Sequence, residues 1–215
     1  MNFLADIIEK LPQLAILLFS IVFHEYAHGR VALWKGDTTA RDAGRLTLNP
    51  VPHIDIFGTV LFPLILMITR SPVLFGWAKP VPVNPFHLKE IKKDMALVGA
   101  SGPASNFLLA VAAGLLFRVL APSLGGSSIL IRTLFFGVYI NLVLAVFNLI
   151  PIPPLDGSKI VMGFLPDDLA MKYASIERFG FLIIFGLLFL GLFRILLLPI
   201  VEFFLVLIVG FSPFS

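Results

Sequence analysis

The sequence predicts an all-α polytopic membrane protein with about five to six transmembrane helices and a short extended or re-entrant segment near its polar site. Three observations carry this. The 215 residues are 58% hydrophobic and only 13% charged, whereas soluble domains run near half apolar and about a quarter charged. Mean hydropathy is +0.98. Apolar runs of spanning length recur along the chain, and a proline-rich stretch interrupts them.

The runs fall in order. Residues 11–34 form the first. Residues 56–69 (IFGTVLFPLILMIT) are apolar but short. Residues 95–120 form another, opening on the small residues GASGPASN. Residues 130–150 end at a proline cluster, and residues 179–211 are one long run expected to break near Pro199 into two helices. Residues 167–178 have the helical spacing of Leu169, Tyr173 and Ile176, with Asp167 as the cap, and read as a short interfacial helix. The chain is expected to be a single domain over 1–215, with a core at 11–165 and C-terminal hydrophobic helices at 179–211. No internal repeat is visible.

Charge places the loops. Lys89, Lys92, Lys93, Lys159, Lys172 and Arg178 lie in two loops, and Arg30, Lys35, Arg41 and Arg45 follow the first run. Lys and Arg favour the cytoplasmic side, so the uncharged loop 121–128 is expected outside. Residues 46–85 must then start and finish on one side. Either 56–69 dips in and returns, or it crosses and the chain comes back through SPVLFGWAKPVPVNP. Pro72, Pro80, Pro82 and Pro85 keep that stretch out of a helix interior. Non-helical backbone at membrane depth survives only where protein buries it or it lines a wet cavity. The net charge of +3 is small, and the basic residues are scattered in membrane-flanking clusters, which fits positive-inside anchoring better than nucleic-acid binding. The N-terminus has no cationic start and no cleavage site, so the first run is expected to be retained.

Within the first run stands FHEYAHG. Residues four apart share a helix face, so His24 and His28 direct two imidazoles at one point, with Glu25 beside it. This is H-E-x-x-H, two zinc ligands and a carboxylate free to take a proton from water. A chance match is costly here, since an ionisable residue at a helix centre in the bilayer costs roughly 2.5–3.5 kcal/mol. With Arg30 at the basic boundary, His24 lies about 9 Å deeper, near the cytoplasmic face. The chain has no Cys, so any metal is held by His, Asp or Glu.

A catalytic zinc takes three protein ligands. The candidates for the third are Asp37, Asp42, His53, Asp55, His87, Asp94, Asp156, Asp167, Asp168 and a few Glu. Asp156 stands out in FNLIPIPPLDGSKI. Pro151, Pro153 and Pro154 end the preceding helix, and Gly157 permits an unusual turn. The competing reading is that Asp156 caps a helix starting at Gly157.

FHEYAHG, NLIPIPPLDG and SGPASN together resemble the site-2 protease family of intramembrane zinc metalloproteases, in the short form without a PDZ domain. The resemblance runs from FHEYAHG to about residue 178 and implies that His24, His28 and Asp156 bind zinc, one ion per chain, with Glu25 the catalytic base. It also implies that GWAKPVPVNP borders the substrate cleft. The implied reaction is hydrolysis of a peptide bond within or near a transmembrane segment of a membrane-protein substrate. The expected setting is the lipid bilayer of a prokaryotic plasma membrane. A metal transporter is the first alternative, but it needs ionisable residues at several depths. A catalytically inactive membrane scaffold is the second, and the intact Glu25 argues against it.

Other polar residues need partners in a bilayer. Asn148 reads either as an oxyanion donor or as an interhelical hydrogen bond, and Asn106 likewise. Gly99, Ser101, Gly102 and Ala104 read as close-packing positions, and Asn141 as helix packing. His53 could reach the metal's water or make a structural hydrogen bond in its loop.

Overall fold

The computed structural model describes residues 3–61, 64–65, 68, 78–126 and 128–211. Among these, the regular structure is helical: α1 (Phe3–Lys35), α2 (Thr39–Asp42), α3 (Ile91–Leu124), α4 (Ile129–Asn148), α5 (Asp156–Phe164), α6 (Asp167–Ala174), α7 (Glu177–Phe189) and α8 (Leu192–Val209). Single 3₁₀ turns occur at Val51–His53 and Pro85–His87, and a π-helical stretch at Ile56–Leu61. The remainder of the expected 56–69 run and of SPVLFGWAKPVPVNP, including Pro72, lies largely outside the described residues.

Helices α3 and α4 form an antiparallel hairpin, turned at Gly125 with φ 73°. α1 lies against both, and α8 packs on the far end of the pair. Ala110, Phe117, Ile131, Val138, Leu142, Val201, Leu205 and Val209 form the apolar core where α3, α4 and α8 meet. The start of α3 is tied to the end of α1. Asp94 accepts the Glu90 N–H at 2.9 Å and pairs with Lys35 Nζ at 2.9 Å.

α3 (Ile91–Leu124) and α4 (Ile129–Asn148) are long and apolar enough to cross a bilayer, and Ile195–Val209 is a shorter apolar stretch. Only 17% and 33% of the two spanning windows are buried inside the protein, so their apolar surface faces outward. Phe181, Leu182, Phe189 and Leu207 on α7 and α8 are likewise exposed. Apolar surface on that scale is foreign to a soluble monomer and needs a lipid cover. The protein is an integral membrane protein.

The structure corrects four expectations. The C-terminal run breaks at Gly191, not Pro199: Gly191 sits at φ 68°, a left-handed position that favours glycine, while Pro199 is inside α8. Pro166, not Asp167, caps α6, and Asp167 in its first turn pairs with Lys92 Nζ at 2.8 Å. Gly157 is an ordinary helical residue of α5. It must be glycine for space, since a Cβ would stand 2.5 Å from the Leu149 carbonyl carbon. Ala104 is exposed and is no packing position.

Candidate active site

One turn of α1 stacks His24 above His28, as the sequence spacing requires. The rings meet edge to face with centroids 4.6 Å apart. α3 passes behind them. Its Gly102 gives the clearance, because a Cβ there would lie 2.5 Å from His24 Cε1 and from His28 Nε2. Gly99, three residues earlier, admits α5, and its Cβ would lie 3.0 Å from the Asp156 carbonyl oxygen. Gly99 and Gly102 thus make the groove into which both halves of the site fit.

The three side chains converge. His24 Nε2 and His28 Nε2 are 3.0 Å apart, and each is 3.0 Å from Asp156 Oδ2. All three residues are buried. Asp156 is the first residue of α5, Leu155 occupies the cap position, and no side chain caps the helix. The capping reading of Asp156 therefore does not hold. Its second oxygen, Oδ1, accepts from Lys159 Nζ at 2.8 Å, one helical turn on.

Each imidazole is held from behind through Nδ1. His28 Nδ1 lies 2.6 Å from the Val98 carbonyl, which can only accept, so this nitrogen carries the hydrogen. Ser101 Oγ also donates to Val98 O at 2.6 Å. His24 Nδ1 lies 2.6 Å from Asn106 Oδ1.

A cavity of about 330 Å³ opens in front, lined among others by Glu25, Val81, Val83, Met95, Asn148 and Lys159. Glu25 Oε2 accepts the Val81 N–H at 2.7 Å. Val81 belongs to a segment without regular secondary structure, 78–84, anchored at several points. Lys79 N–H donates to His53 O at 2.9 Å, Arg45 Nη2 donates to Lys79 O at 2.8 Å, and Asn84 N–H donates to Asp37 Oδ2 at 2.7 Å. Asp37 is fully buried just beyond α1. Burial pushes its carboxyl up, but hydrogen bonds from the Thr39 hydroxyl and amide, the Asn84 amide and His87 outweigh this and hold it below the ordinary value of 3.8.

The other expected candidates have other partners. His53 donates through Nε2 to Thr47 O at 3.0 Å, His87 meets Asp37 Oδ1 at 3.1 Å, and Asp94 meets Lys35. Asp55 accepts the Gly58 N–H at 2.6 Å, Asp42 pairs with Arg41, and Asp168 is exposed. Among the described residues, the one His, Asp and Glu cluster able to hold a metal is His24, His28 and Asp156. Asn148 lines the cavity and gives one amide hydrogen to Leu144 O at 2.9 Å. Asn106 is fully buried behind His24, with Oδ1 2.6 Å from Nδ1, and does not line the cavity. Sequence reasoning does not find the contact of Lys159 with the site or the clearance that Gly102 provides. The i, i+3 spacing to Asp156 is the available signal for Lys159, whereas Gly102 is indistinguishable there from its small neighbours.

The chain matches the model of "Peptidase family M50" over residues 123–191. It is 39% identical over 189 residues to the "Putative zinc metalloprotease YwhC" of Bacillus subtilis, covering 85% of this chain and 82% of that protein. It is 27% identical over 172 residues to the "Putative zinc metalloprotease Rip2" of Mycolicibacterium smegmatis, covering 80% of this chain and 64% of that protein. No solved structure matches the chain significantly. With 82% of a relative spanned at 39% identity, this chain belongs to peptidase family M50, the site-2 protease family, and is an intramembrane zinc metalloprotease.

Proposed function

We propose that His24, His28 and Asp156 hold one zinc ion per chain and that Glu25 is the general base for cleaving a peptide bond within or near a substrate's transmembrane segment. The observation that supports this is the convergence of three acceptors. Both Nδ1 atoms are committed to acceptors behind the rings, so both neutral Nε2 atoms present lone pairs, 3.0 Å apart, to each other and to a carboxylate oxygen. A cation at the centre of such a triangle satisfies all three acceptors. Two imidazoles and a carboxylate are a zinc donor set, and ligands about 2.0–2.1 Å from tetrahedral zinc stand roughly 3.3–3.4 Å apart, close to the 3.0 Å found. His24, His28 and Asp156 all line the cavity.

When bound, zinc acidifies water and polarises a carbonyl. The protein's part is positional. Glu25 sits in the cavity beside the triangle, accepts a proton from the attacking water and returns it to the leaving amine. Asn148 keeps a second amide hydrogen for the developing oxyanion. Lys159 occupies Asp156 Oδ1 and leaves Oδ2 to the ion.

A helical substrate hides its carbonyls and must unwind to be cut. The segment 78–84 is the edge on which an unwound strand would pair by β-addition. Pro80 and Pro82 have no N–H, and Val81 N–H is taken by Glu25. Among the described residues Val83 N–H has no partner, and Val83 lines the cavity. Lys35 and Lys92 at the α1 and α3 ends support a site near the cytoplasmic face. Phe86 is exposed and the chain has no Cys, so a Phe86→Cys variant should be labelled by a thiol reagent only from that side.

The test is Glu25→Gln in proteoliposomes carrying a transmembrane substrate. Cleavage is expected to fall by about 10²–10⁴-fold with zinc content unchanged. Cleavage at the wild-type rate removes Glu25 from the chemistry.

A further inference from the structure

Behind His24, a second layer of polar side chains lies in the interior where α1, α3 and α4 meet. Ser20, Asn106 and Asn141 are 0%, 0% and 3% exposed. The proposed mechanism does not use Ser20 or Asn141. The geometry points to a role for them: Asn141 and Ser20 are positioning residues that fix the tautomer in which His24 meets the metal.

The direction of every hydrogen bond follows from carbonyls, which can only accept. Asn141 has one amide atom 2.9 Å from Gly137 O, so that atom is the nitrogen. The same nitrogen lies 2.8 Å from Ser20 Oγ. The Ser20 hydroxyl gives its single hydrogen to Ile16 O at 2.8 Å and is therefore an acceptor toward Asn141. The oxygen of Asn141 is left facing Asn106 at 2.8 Å. Asn106 must meet an acceptor with its nitrogen, and that nitrogen is also 3.3 Å from Ser20 O. Its Oδ1 is then the atom 2.6 Å from His24 Nδ1, so Nδ1 bears the hydrogen. Nε2, aimed at His28 and Asp156, keeps its lone pair.

The chain thus runs from two helix carbonyls, through a hydroxyl and two amides, to a ring nitrogen. At this depth no water replaces a missing member. Without Asn141 the Asn106 amide loses the stronger of the two acceptors on its nitrogen, and the turned amide would present N–H to Nδ1. His24 would then carry its hydrogen on Nε2, where the metal must sit. Outer partners of metal-bound histidines act in this way, and losing one typically costs roughly 10–100-fold in metal affinity.

The inference rests on His24 being a metal ligand, so the test has two arms. The first is nitrogen NMR of metal-free full-length chain in nanodiscs, labelled with ¹⁵N-histidine, which reads the His24 tautomer with no metal present. The second is zinc affinity by chelator competition. Wild type is expected in the Nδ1–H form. Asn141→Leu is expected to populate the Nε2–H form and weaken zinc by roughly 10–100-fold. Ser20→Ala should move both readouts the same way by less, and it decides the matter if Asn141→Leu does not fold. A network that serves only as interhelical packing would lower Tm and move neither readout. A folded Asn141→Leu chain with wild-type tautomer, or with wild-type zinc affinity, overturns the proposal. Absence of zinc from the wild type would instead overturn the metal site, and the tautomer arm would still report on the network.

Discussion

The two sides of the histidine pair are made differently. Behind the rings, Asn106, Asn141 and Ser20 are buried and each commits its donors in one direction. In front, Glu25, Asn148 and Lys159 are half-buried around a cavity of about 330 Å³. There, among the described residues, one Asn148 amide hydrogen has no partner, and Glu25 leans on a backbone amide of a separate segment. The difference separates two tasks. If the two histidines hold the proposed zinc, they must not move or change tautomer, and the buried network behind them suits that task. Under the proposed mechanism Glu25 must exchange a proton with water and substrate, and it faces the cavity beside an anchored but irregular segment.

Substitutions on the two sides should therefore fail in different ways. The largest effect is expected from Gly102→Ala. The added Cβ would stand 2.5 Å from atoms of both rings, and neither ring can shift without leaving the triangle. Stoichiometric zinc should be lost, read by metal analysis. Retained zinc would mean that α3 can retreat and that the rear wall is softer than described. On the front, Asn148→Ala is expected to slow cleavage by about 10²-fold, as removal of an oxyanion donor does, and Val83→Pro should slow it by blocking strand pairing. Both should keep full zinc. Loss of zinc in either would blur the division.

A smaller effect, on the order of tenfold in cleavage, is expected from Asp37→Ala, which frees Asn84 and His87 and loosens the strand under Glu25. Hydrogen exchange of the 78–84 amides reads the loosening directly. Its pH dependence has a defined sign. The Asp37 carboxyl is lowered by folding, so its stabilising contribution is complete above the ordinary value of 3.8 and is lost as pH falls through the lowered folded value. Wild-type protection of the segment should persist at neutral pH and collapse only in that acid range. Asp37→Ala should lack it throughout.

Much of the front and little of the back was legible in the sequence. His24, Glu25 and His28 announce themselves because a four-residue period puts ionisable groups on one helix face inside an apolar run. Asp156 is marked by the prolines that stop α4. At the back, Asn106 is marked by SGPASN, but nothing in the local sequence joins it to Ser20 or Asn141. Asn141 meets Ser20 across 121 residues and Asn106 across 35, and such pairings depend on how α1, α3 and α4 dock. Gly102 and Gly99 read alike as small residues, and only the docked helices show what each clears. The break in the last run is not legible because proline is the stronger breaker in isolation, yet Pro199 is accommodated inside α8 and the left-handed turn between α7 and α8 falls at Gly191.

The most direct measurement is zinc content per chain of the purified protein beside His24→Ala and Asp156→Ala. One zinc in the wild type and none in either variant is the predicted result, since α1 and α5 each supply part of a single centre. A full complement of zinc in the Asp156→Ala chain would contradict a shared site.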